Sequence, residues 1–302
     1  TQVGFMEVPS PGNENGVAYD GFLADTNFSV DRGIYDTAQS VAITAVDVNN
    51  VVDPTATIRY TTDFSEPTLT NGLTYSSPLS ISTTTVLRAK AFKTNFIPTN
   101  VDTQSYIFLS DVITQDASDV TQPYETWGHD KEDGDNLSGY NLDDESDWEM
   151  DPNIVTGNET AVINALQDLP TVSIVTDWDN LWSGRPLPGT GQDPGRVAYE
   201  AQGIYIHGRS SERPNSFEYF TADGSVGVQA ESVIEIQGHS SPGRWNSDKL
   251  SFQIKFKAPF GDPELNADLF SGTVAGDTSV DQFDTLILDA QYNYTWHHAN
   301  IS

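Results

Sequence analysis

Four of the fourteen Lys and Arg residues in this 302-residue chain lie in one short stretch, residues 233–257, VIEIQGHSSPGRWNSDKLSFQIKFK. The formal net charge of the chain is -30, so a local group of cations needs a physical reason. The candidate reason is a bound anion, and a phosphate group suits Lys and Arg side chains. The four cations are Arg244, Lys249, Lys255 and Lys257.

The pattern of this stretch is strand, glycine-containing loop, strand. Apolar and polar residues alternate in KLSFQIKF, so one face belongs in a core and the other carries polar groups, among them Lys249 and Ser251. The loop contains Gly238, Ser240 and Ser241, and a loop of this composition can present backbone N–H groups to a phosphate. A Lys on a strand beside a covering loop is how kinase-like folds hold phosphates.

The neighbouring elements must position this pair of strands. A helix is predicted over 158–169, because its apolar residues follow the i, i+3, i+4 spacing, with Asn158 or Thr160 as its N-cap. The mostly β pattern predicts an α+β layout on a mixed or antiparallel sheet. The further strands are expected at 170–177, 203–208, 216–220 and, as a buried strand, 283–290.

Residues 168–302 resemble the N-terminal half of the CotH family, the spore-coat proteins with an atypical protein-kinase-like fold. The resemblance rests on DLPTVSIVTDWDNLW, GIY, ERP followed by SFEYF, IEIQGHSS, DKLSFQIKF and FDTLIL, in that order. It implies a nucleotide cleft whose upper wall is built by a loop and a strand, and ATP with Mg²⁺ as cofactors of the full-length parent. The residues that match this wall are Gly238, Ser240 and Ser241 in the loop, Lys249 as the phosphate-binding lysine, and Ser251 as its companion.

Two departures from the family pattern narrow this expectation. The family usually has Arg before the loop glycine, where this chain has Gln237. The acidic residues that act on the hydroxyl substrate and on magnesium lie in the C-terminal half of the family, and we expect that half to begin near Ser302. We therefore expect no catalytic residue among these 302 residues and no kinase turnover by this chain.

Residues 23–110 show short β-patterns separated by turn residues, which is typical of a β-sandwich. The run ATIRYTTDFSEPTLTNGLTYSSPLSISTTTVLRAKAFK resembles the immunoglobulin-like module at the C-terminus of chitobiases and β-hexosaminidases, which usually acts as a spacer. Two interpretations of Tyr60, Asp63 and Glu66 stay open. They form a sugar-binding patch, or they belong to turns and core, where sandwiches commonly place such residues.

Residues 111–168 are strongly acidic and are predicted to be a connecting segment that ends in a helix. Their carboxylates suit calcium, although the register of an EF-hand loop is not met. The alternative is a solvated run of charge. The calcium candidates are Asp130, Glu132, Asp133 and Asp135.

Composition excludes several classes of function. Cysteine is absent, which excludes disulfides and thiolate chemistry. The acidic balance argues against nucleic-acid partners, and no apolar run is long enough to span a membrane.

The sequence therefore predicts a multidomain, mainly β chain. It consists of a tail at 1–22, an Ig-like β-sandwich at 23–110, the acidic segment at 111–168, and an incomplete α+β domain like a kinase N-lobe at 169–302. We expect part of a large secreted or cell-surface bacterial protein, whose partners are other modules of the same precursor or surface matrix proteins. The alternative is a non-catalytic, acidic matrix protein that binds calcium.

Overall fold

The computed structural model describes residues 5, 18–116, 150–177, 180, 212–237, 251–270 and 276–289. The chain divides into two compact units, Thr1–Asp111 (unit 1) and Val112–Ser302 (unit 2). Regular structure in the described residues is mainly β, as predicted, and none of the described helices is long and apolar enough to cross a membrane.

Unit 1 is built from short strands and ends in one helical turn that crosses the unit boundary. In chain order the elements are β1 (Gly21–Phe22), β2 (Asp25–Phe28), β3 (Gly33–Ile34), β4 (Gln39–Val41), β5 (Ile43–Val46), β6 (Thr57–Thr61), β7 (Leu73–Thr74), β8 (Leu79–Ile81), β9 (Thr85–Phe92), β10 (Phe96–Ile97), β11 (Asp102–Ile107) and α1 (Leu109–Val112).

The strands of unit 1 form the two layers of a sandwich. One layer is a five-stranded sheet in the order β3-β11-β9-β6-β7. In the other layer, β4 and β5 form one extended segment interrupted only at Ala42; β4 pairs with β8 and β5 pairs with β2. This arrangement agrees with the predicted Ig-like β-sandwich.

The core of unit 1 follows the period-2 pattern of β9. Leu87, Ala89 and Ala91 are fully buried, whereas Arg88 and Lys90 on the other face are half-buried. The buried face meets apolar residues of the opposite layer, and burial of a Leu or Ile side chain contributes about 2 kcal/mol. The buried core residues are Leu23, Val41, Ile43, Ala45, Ile58, Ile81, Leu87, Ala89, Ala91, Tyr106 and Phe108.

The connection between β6 and β7 is held by cations of the two neighbouring strands. Arg59 donates hydrogen bonds to Thr74 Oγ1 (2.6 Å) and to the carbonyl oxygen of Gly72. Arg88 donates to the carbonyl oxygen of Phe64 at 2.5 Å. Gly72 has φ +85°, and an added Cβ would lie 2.5 Å from the carbonyl oxygen of Tyr60, so only glycine fits there.

The elements of unit 2 whose bounds the structure describes are two short helices followed by strands. In chain order the described elements are α2 (Pro152–Val155), α3 (Glu159–Gln167), β12 (Thr171–Val175), β13 (Arg213–Phe220), β14 (Val226–Ile236), β15 (Phe252–Lys255), β16 (Leu265–Asn266), a 3-10 turn (Gly276–Thr278), β17 (Gln282–Phe283) and β18 (Thr285–Leu288).

The main sheet of unit 2 has the order β12-β13-β14-β15-β18 in the described residues, and all its pairs are antiparallel. One face packs on the β16–β17 hairpin, through Leu265 and Phe283. The Phe217 and Phe256 rings meet edge to face at 5.7 Å in this core. The buried core residues are Phe217, Ile234, Ile254, Phe256, Leu265 and Leu269.

The strands predicted at 170–177, 216–220 and 249–256 contain or overlap β12, β13 and β15. The strand predicted at 283–290 is present as β18, but the prediction that it is buried was wrong. Among the described strands β18 is the outermost on its side of the sheet, and Ile287 is 55% exposed. The strand predicted at 203–208 lies outside the described residues.

The helix predicted at 158–169 is present as α3, with Val162, Ile163 and Leu166 half-buried along one side. Asn158 occupies the N-cap position, but its side chain makes no capping hydrogen bond and instead donates to the Ile154 carbonyl oxygen at 3.1 Å. Glu159 accepts a hydrogen bond from the Gly157 amide (2.9 Å). A carboxylate in the first turn also interacts favourably with the helix dipole.

Candidate functional site

The polar face of β14 and β15 carries two of the four cations that the sequence singled out. Lys255 forms an ion pair with Glu235 of the neighbouring strand, and its Nζ lies 3.5 Å from Glu212 Oε1. Lys257 Nζ lies 2.6 Å from both carboxylate oxygens of Glu212. The local basicity that suggested an anion is therefore balanced at these two positions by two carboxylates, Glu235 in β14 and Glu212 directly before β13.

Glu212 is the acceptor shared by the two lysines, and its side chain is 7% exposed. Burial on its own raises the pKa of Glu212, but the hydrogen bonds and charges of Lys257 and Lys255 outweigh burial and lower that pKa. Sequence reasoning missed Glu212, because its partners Lys255 and Lys257 lie 43 and 45 residues later in the chain and no local pattern connects them.

Ser251 is the predicted nucleotide-site residue that the structure describes. Its Oγ donates a hydrogen bond to Asp289 Oδ1 at 3.3 Å, and its carbonyl oxygen accepts one from the Gln237 amide at 2.8 Å. The pairs Ile236↔Phe252 and Phe252↔Leu288 place Gln237, Ser251 and Asp289 side by side on three adjacent strands. The sequence pointed to Gln237 and Ser251. Asp289 was missed for this site, although it directly follows the apolar run of β18.

The other predicted site residues lie outside the described residues. These are the loop residues Gly238, Ser240 and Ser241, the phosphate-binding candidate Lys249, and the calcium candidates Asp130, Glu132, Asp133 and Asp135.

The cavity beside β14 does not suit a phosphate. It has a volume of about 420 Å³ and lies between residues 228–231 and residues 261–266. Glu231, Asp262 and Glu264 line it, and carboxylates repel an anion. At one side of this cavity the backbone of Gly261 packs directly against the backbone of Glu231. An added Cβ at residue 261 would lie only 2.1 Å from the Glu231 carbonyl oxygen.

In the described part of the chain, no three His, Asp or Glu side chains come close enough together to hold a metal ion. Several exposed carboxylates are instead used in turns. Asp47 accepts hydrogen bonds from the Val51 and Asn49 amides, which lower its pKa. Asp223 accepts from Thr221 and Ser225 in the β13–β14 turn, and its pKa is lowered to about 2.

The three residues considered for a sugar patch in unit 1 have structural partners. Tyr60 packs partly buried against the core. Asp63 Oδ1 accepts hydrogen bonds from the backbone (3.2 Å) and hydroxyl (2.6 Å) of Ser65, and Glu66 pairs with Lys90 at 3.0 Å. The arrangement corresponds to the turn-and-core interpretation.

A buried polar cluster lies on the core side of β11 in unit 1. Asp102 Oδ1 is 3.6 Å from Arg32 Nη2, and Gln104 Oε1 accepts hydrogen bonds from the backbone and side chain of Arg32. Burial raises the pKa of Asp102 to about 6, against the lowering effect of the Arg32 charge. No sequence pattern indicated this cluster.

Comparison with known proteins bears on unit 1. No curated protein and no solved structure matches the chain. A family model matches within unit 1, at residues 30–103, and does not reach residues 168–302. The resemblance of residues 168–302 to the CotH family therefore stays a prediction. Domains of the matched type are commonly found in extracellular bacterial proteins. Residues 30–103 match the family model of the chitobiase/beta-hexosaminidase C-terminal domain, so this part of the chain is similar to that Ig-like domain.

Proposed function

We propose that this chain is part of a large secreted or cell-surface bacterial protein in which unit 1 is a spacer. Other modules of the same precursor, or surface matrix proteins, are its partners. The observation that carries the proposal is the match of residues 30–103 to a domain type common in extracellular bacterial proteins.

The contacts of unit 1 support a spacer. Arg59, Arg88 and Lys90 lie on one face of the five-stranded sheet, where a ligand site would need free polar groups. They are used to hold the β6–β7 connection through Gly72, Phe64 and Glu66. This polar face therefore stabilises the domain itself.

In the same proposal, residues 169–302, which lie within unit 2, are a CotH-like region whose full-length parent binds ATP and Mg²⁺ and transfers phosphate to a hydroxyl group. The alignment of Gln237, Ser251 and Asp289 on adjacent strands supports this, because it puts a hydroxyl and a carboxylate next to the stretch that carries Lys249. In this assignment Lys249 holds phosphates and the Gly238–Ser241 loop covers them. The chain of 302 residues binds nucleotide without turnover.

Calorimetric titration of Mg-ATP into the chain, with a phosphorylation assay on a generic protein substrate, tests this part of the proposal. We expect measurable binding that Lys249→Ala abolishes and Lys131→Ala leaves unchanged, since Lys131 lies in the acidic segment. Equal binding by both variants would contradict the assignment of Lys249. Robust phosphorylation that disappears in Lys249→Ala would contradict the expected lack of turnover.

The second candidate function is a non-catalytic matrix protein whose acidic segment binds calcium. The ion pairs of Lys255 and Lys257 favour it, because they leave fewer cations for a phosphate. A ligand that binds only the folded state raises stability. We expect millimolar Ca²⁺ to raise the melting temperature, and replacement of Asp130, Glu132, Asp133 and Asp135 by their amides to remove the shift. An unchanged melting temperature would exclude a calcium site that stabilises the fold.

A further inference from the structure

The segment that precedes and includes β3 runs beside β11 in the same direction. Gly33 is paired with Tyr106 and Ile34 with Ile107 in parallel register. The Tyr35 amide extends the ladder by donating to the Ile107 carbonyl oxygen at 2.8 Å. The first and last parts of unit 1 are thus joined strand to strand.

Side chains lengthen this contact toward the beginning of β11. The Tyr106 hydroxyl donates to the Val30 carbonyl oxygen at 2.7 Å. The backbone N–H and Nε of Arg32 donate to Gln104 Oε1 at 2.8 and 3.1 Å, and the Arg32–Asp102 ion pair lies one step further along. Tyr106 and Gln104 are buried, which shields these bonds from competing water.

A second parallel contact joins β1 to β10. Gly21 pairs with Phe96 and Phe22 with Ile97, and the Leu23 amide donates to the Ile97 carbonyl oxygen at 3.0 Å. Gly21 permits the close approach, because an added Cβ would lie 2.7 Å from the Phe96 ring. The incoming chain is therefore bonded to the C-terminal part of the unit at two places.

A parallel pair responds to tension in a way that depends on where the force is applied. The chain leads into β3 at one end of the pair and continues from β11 at the other. Tension along the polypeptide pulls the two strands past each other along their common axis. All the hydrogen bonds of the contact then share the load, whereas a force applied at one end breaks them one after another.

We propose that unit 1 is a load-bearing connector, in which the β3–β11 contact resists tension transmitted along the chain. The inference deepens the spacer role proposed above and rests on it for its biological setting. The mechanical geometry itself depends only on the register and hydrogen bonds of unit 1. Forced unfolding is governed by the unfolding rate, so bonds that must break together before the strands separate increase resistance.

Single-molecule force spectroscopy on the full chain tests the proposal directly. The chain has no Cys, so each pair of introduced cysteines gives two defined attachment points. Asp20→Cys with Ser110→Cys pulls the parallel pair from opposite ends, and Thr37→Cys with Ser110→Cys pulls it from the same end. All three positions are exposed, and neither pair places unit 2 between the handles.

Two conservative variants test the side-chain part of the contact. Tyr106→Phe removes the hydroxyl that bridges β11 to Val30. Tyr35→Phe is the matched control, because the Tyr35 hydroxyl donates to the Asp31 carbonyl oxygen within its own segment, at 2.6 Å. The two rings stack at 5.9 Å, so the chemical change and the location are nearly the same.

We expect a several-fold higher unfolding force for the 20/110 pair than for the 37/110 pair at one pulling speed. Tyr106→Phe should lower the 20/110 force more than Tyr35→Phe does. Equal forces in the two pulling geometries would overturn the proposal, and so would equal effects of the two Phe variants. Either result would refute the mechanical resistance of unit 1 and leave the proposed spacer role standing. The spacer role would instead be refuted by a parent protein that is not exported.

Discussion

The buried carboxylate of Asp102 should make unit 1 more stable in mild acid than at neutral pH. Desolvation is the main reason that its pKa is raised from 3.8 to about 6, and the nearby Asp25 adds to the effect. The charge of Arg32 and hydrogen bonds from Gln104 and Thr26 act in the opposite direction without cancelling it. The folded state therefore binds the proton of Asp102 more tightly than the unfolded chain does.

The sign and size of the effect follow from linkage. The pKa of Asp102 in the folded state lies above its value in the unfolded chain. The contribution of Asp102 to the free energy of unfolding is therefore fully present below pH 3.8 and is lost as the pH rises through about 6. With these two pKa values, a change from about pH 7.5 to about pH 5 raises the free energy of unfolding by about 1.4 kcal/mol. The Asp102 side chain is only 17% exposed, so solvent screening reduces this value little.

Asp102→Asn is the variant that tests this reasoning, since an amide of the same shape cannot titrate. All six Trp residues follow residue 111, so tryptophan fluorescence does not report on unit 1. Hydrogen exchange of the amides in β9 and β11, measured by mass spectrometry in urea, reports on unit 1 alone. Asp36→Asn is the matched control, because Asp36 is an exposed carboxylate of the same unit.

We expect the gain in free energy of unfolding from neutral to acid pH to be larger by about 1.4 kcal/mol in the wild-type chain and in Asp36→Asn than in Asp102→Asn. The comparison between variants cancels the titration of every other group. If Asp102→Asn shows the same gain as the wild type, the raised pKa and the argument built on it are refuted.

Three further substitutions separate the effects of backbone strain, packing and charge on stability. Gly72→Ala should lower the free energy of unfolding by about 2–3 kcal/mol, because it combines a positive φ with a clash. Gly157→Ala has a similar φ of +80° but open space around it, and should cost about 1 kcal/mol in urea unfolding; equal losses would show that the clash is relieved by movement. Glu212→Gln should cost about 1 kcal/mol through the weakened Lys255 and Lys257 pairs, in a salt-dependent way. Since the pKa of Glu212 is lowered, this loss should disappear once acid protonates Glu212 in the wild type; a loss that persists there would mean that packing dominates.

Local alternation allowed part of the fold to be predicted. β15 has the predicted period-2 pattern, and its buried residue, Ile254, lies on the predicted core face. The spacing of Val162, Ile163 and Leu166 likewise identified α3. Each of these signals lies within one element, where the spacing of side chains determines which face is buried.

Contacts between distant residues could not be predicted from such patterns. β3 has only two residues, too few to show a period. Its pairing with β11 is determined by the packing of the whole sandwich, which places Gly33 beside Tyr106. The pairing of Glu212 with Lys257 similarly depends on the order of strands in the sheet of unit 2. The apolar run of β18 predicted a buried strand, but the period of a run does not reveal whether a strand lies at the centre or the edge of its sheet.

The order of strands in unit 2 also has a consequence for how the chain folds. Among the described strands of unit 2, β12, β13, β14 and β15 have the same order in the chain and in the sheet, and a tight turn at 221–225 joins the two longest of them. The β13–β14 pairing is local in sequence, which favours early formation of this hairpin. The pairing of β12 with β13 is not local, since its register runs from Thr171↔Phe220 to Val175↔Ser216. Unit 1 closes its sheet only when β3 meets β11, so loop closure across nearly the whole unit must precede its final contact. During synthesis, unit 1 therefore completes its sheet only after β11 has emerged, whereas the β13–β14 hairpin of unit 2 can form as soon as its own two strands have emerged.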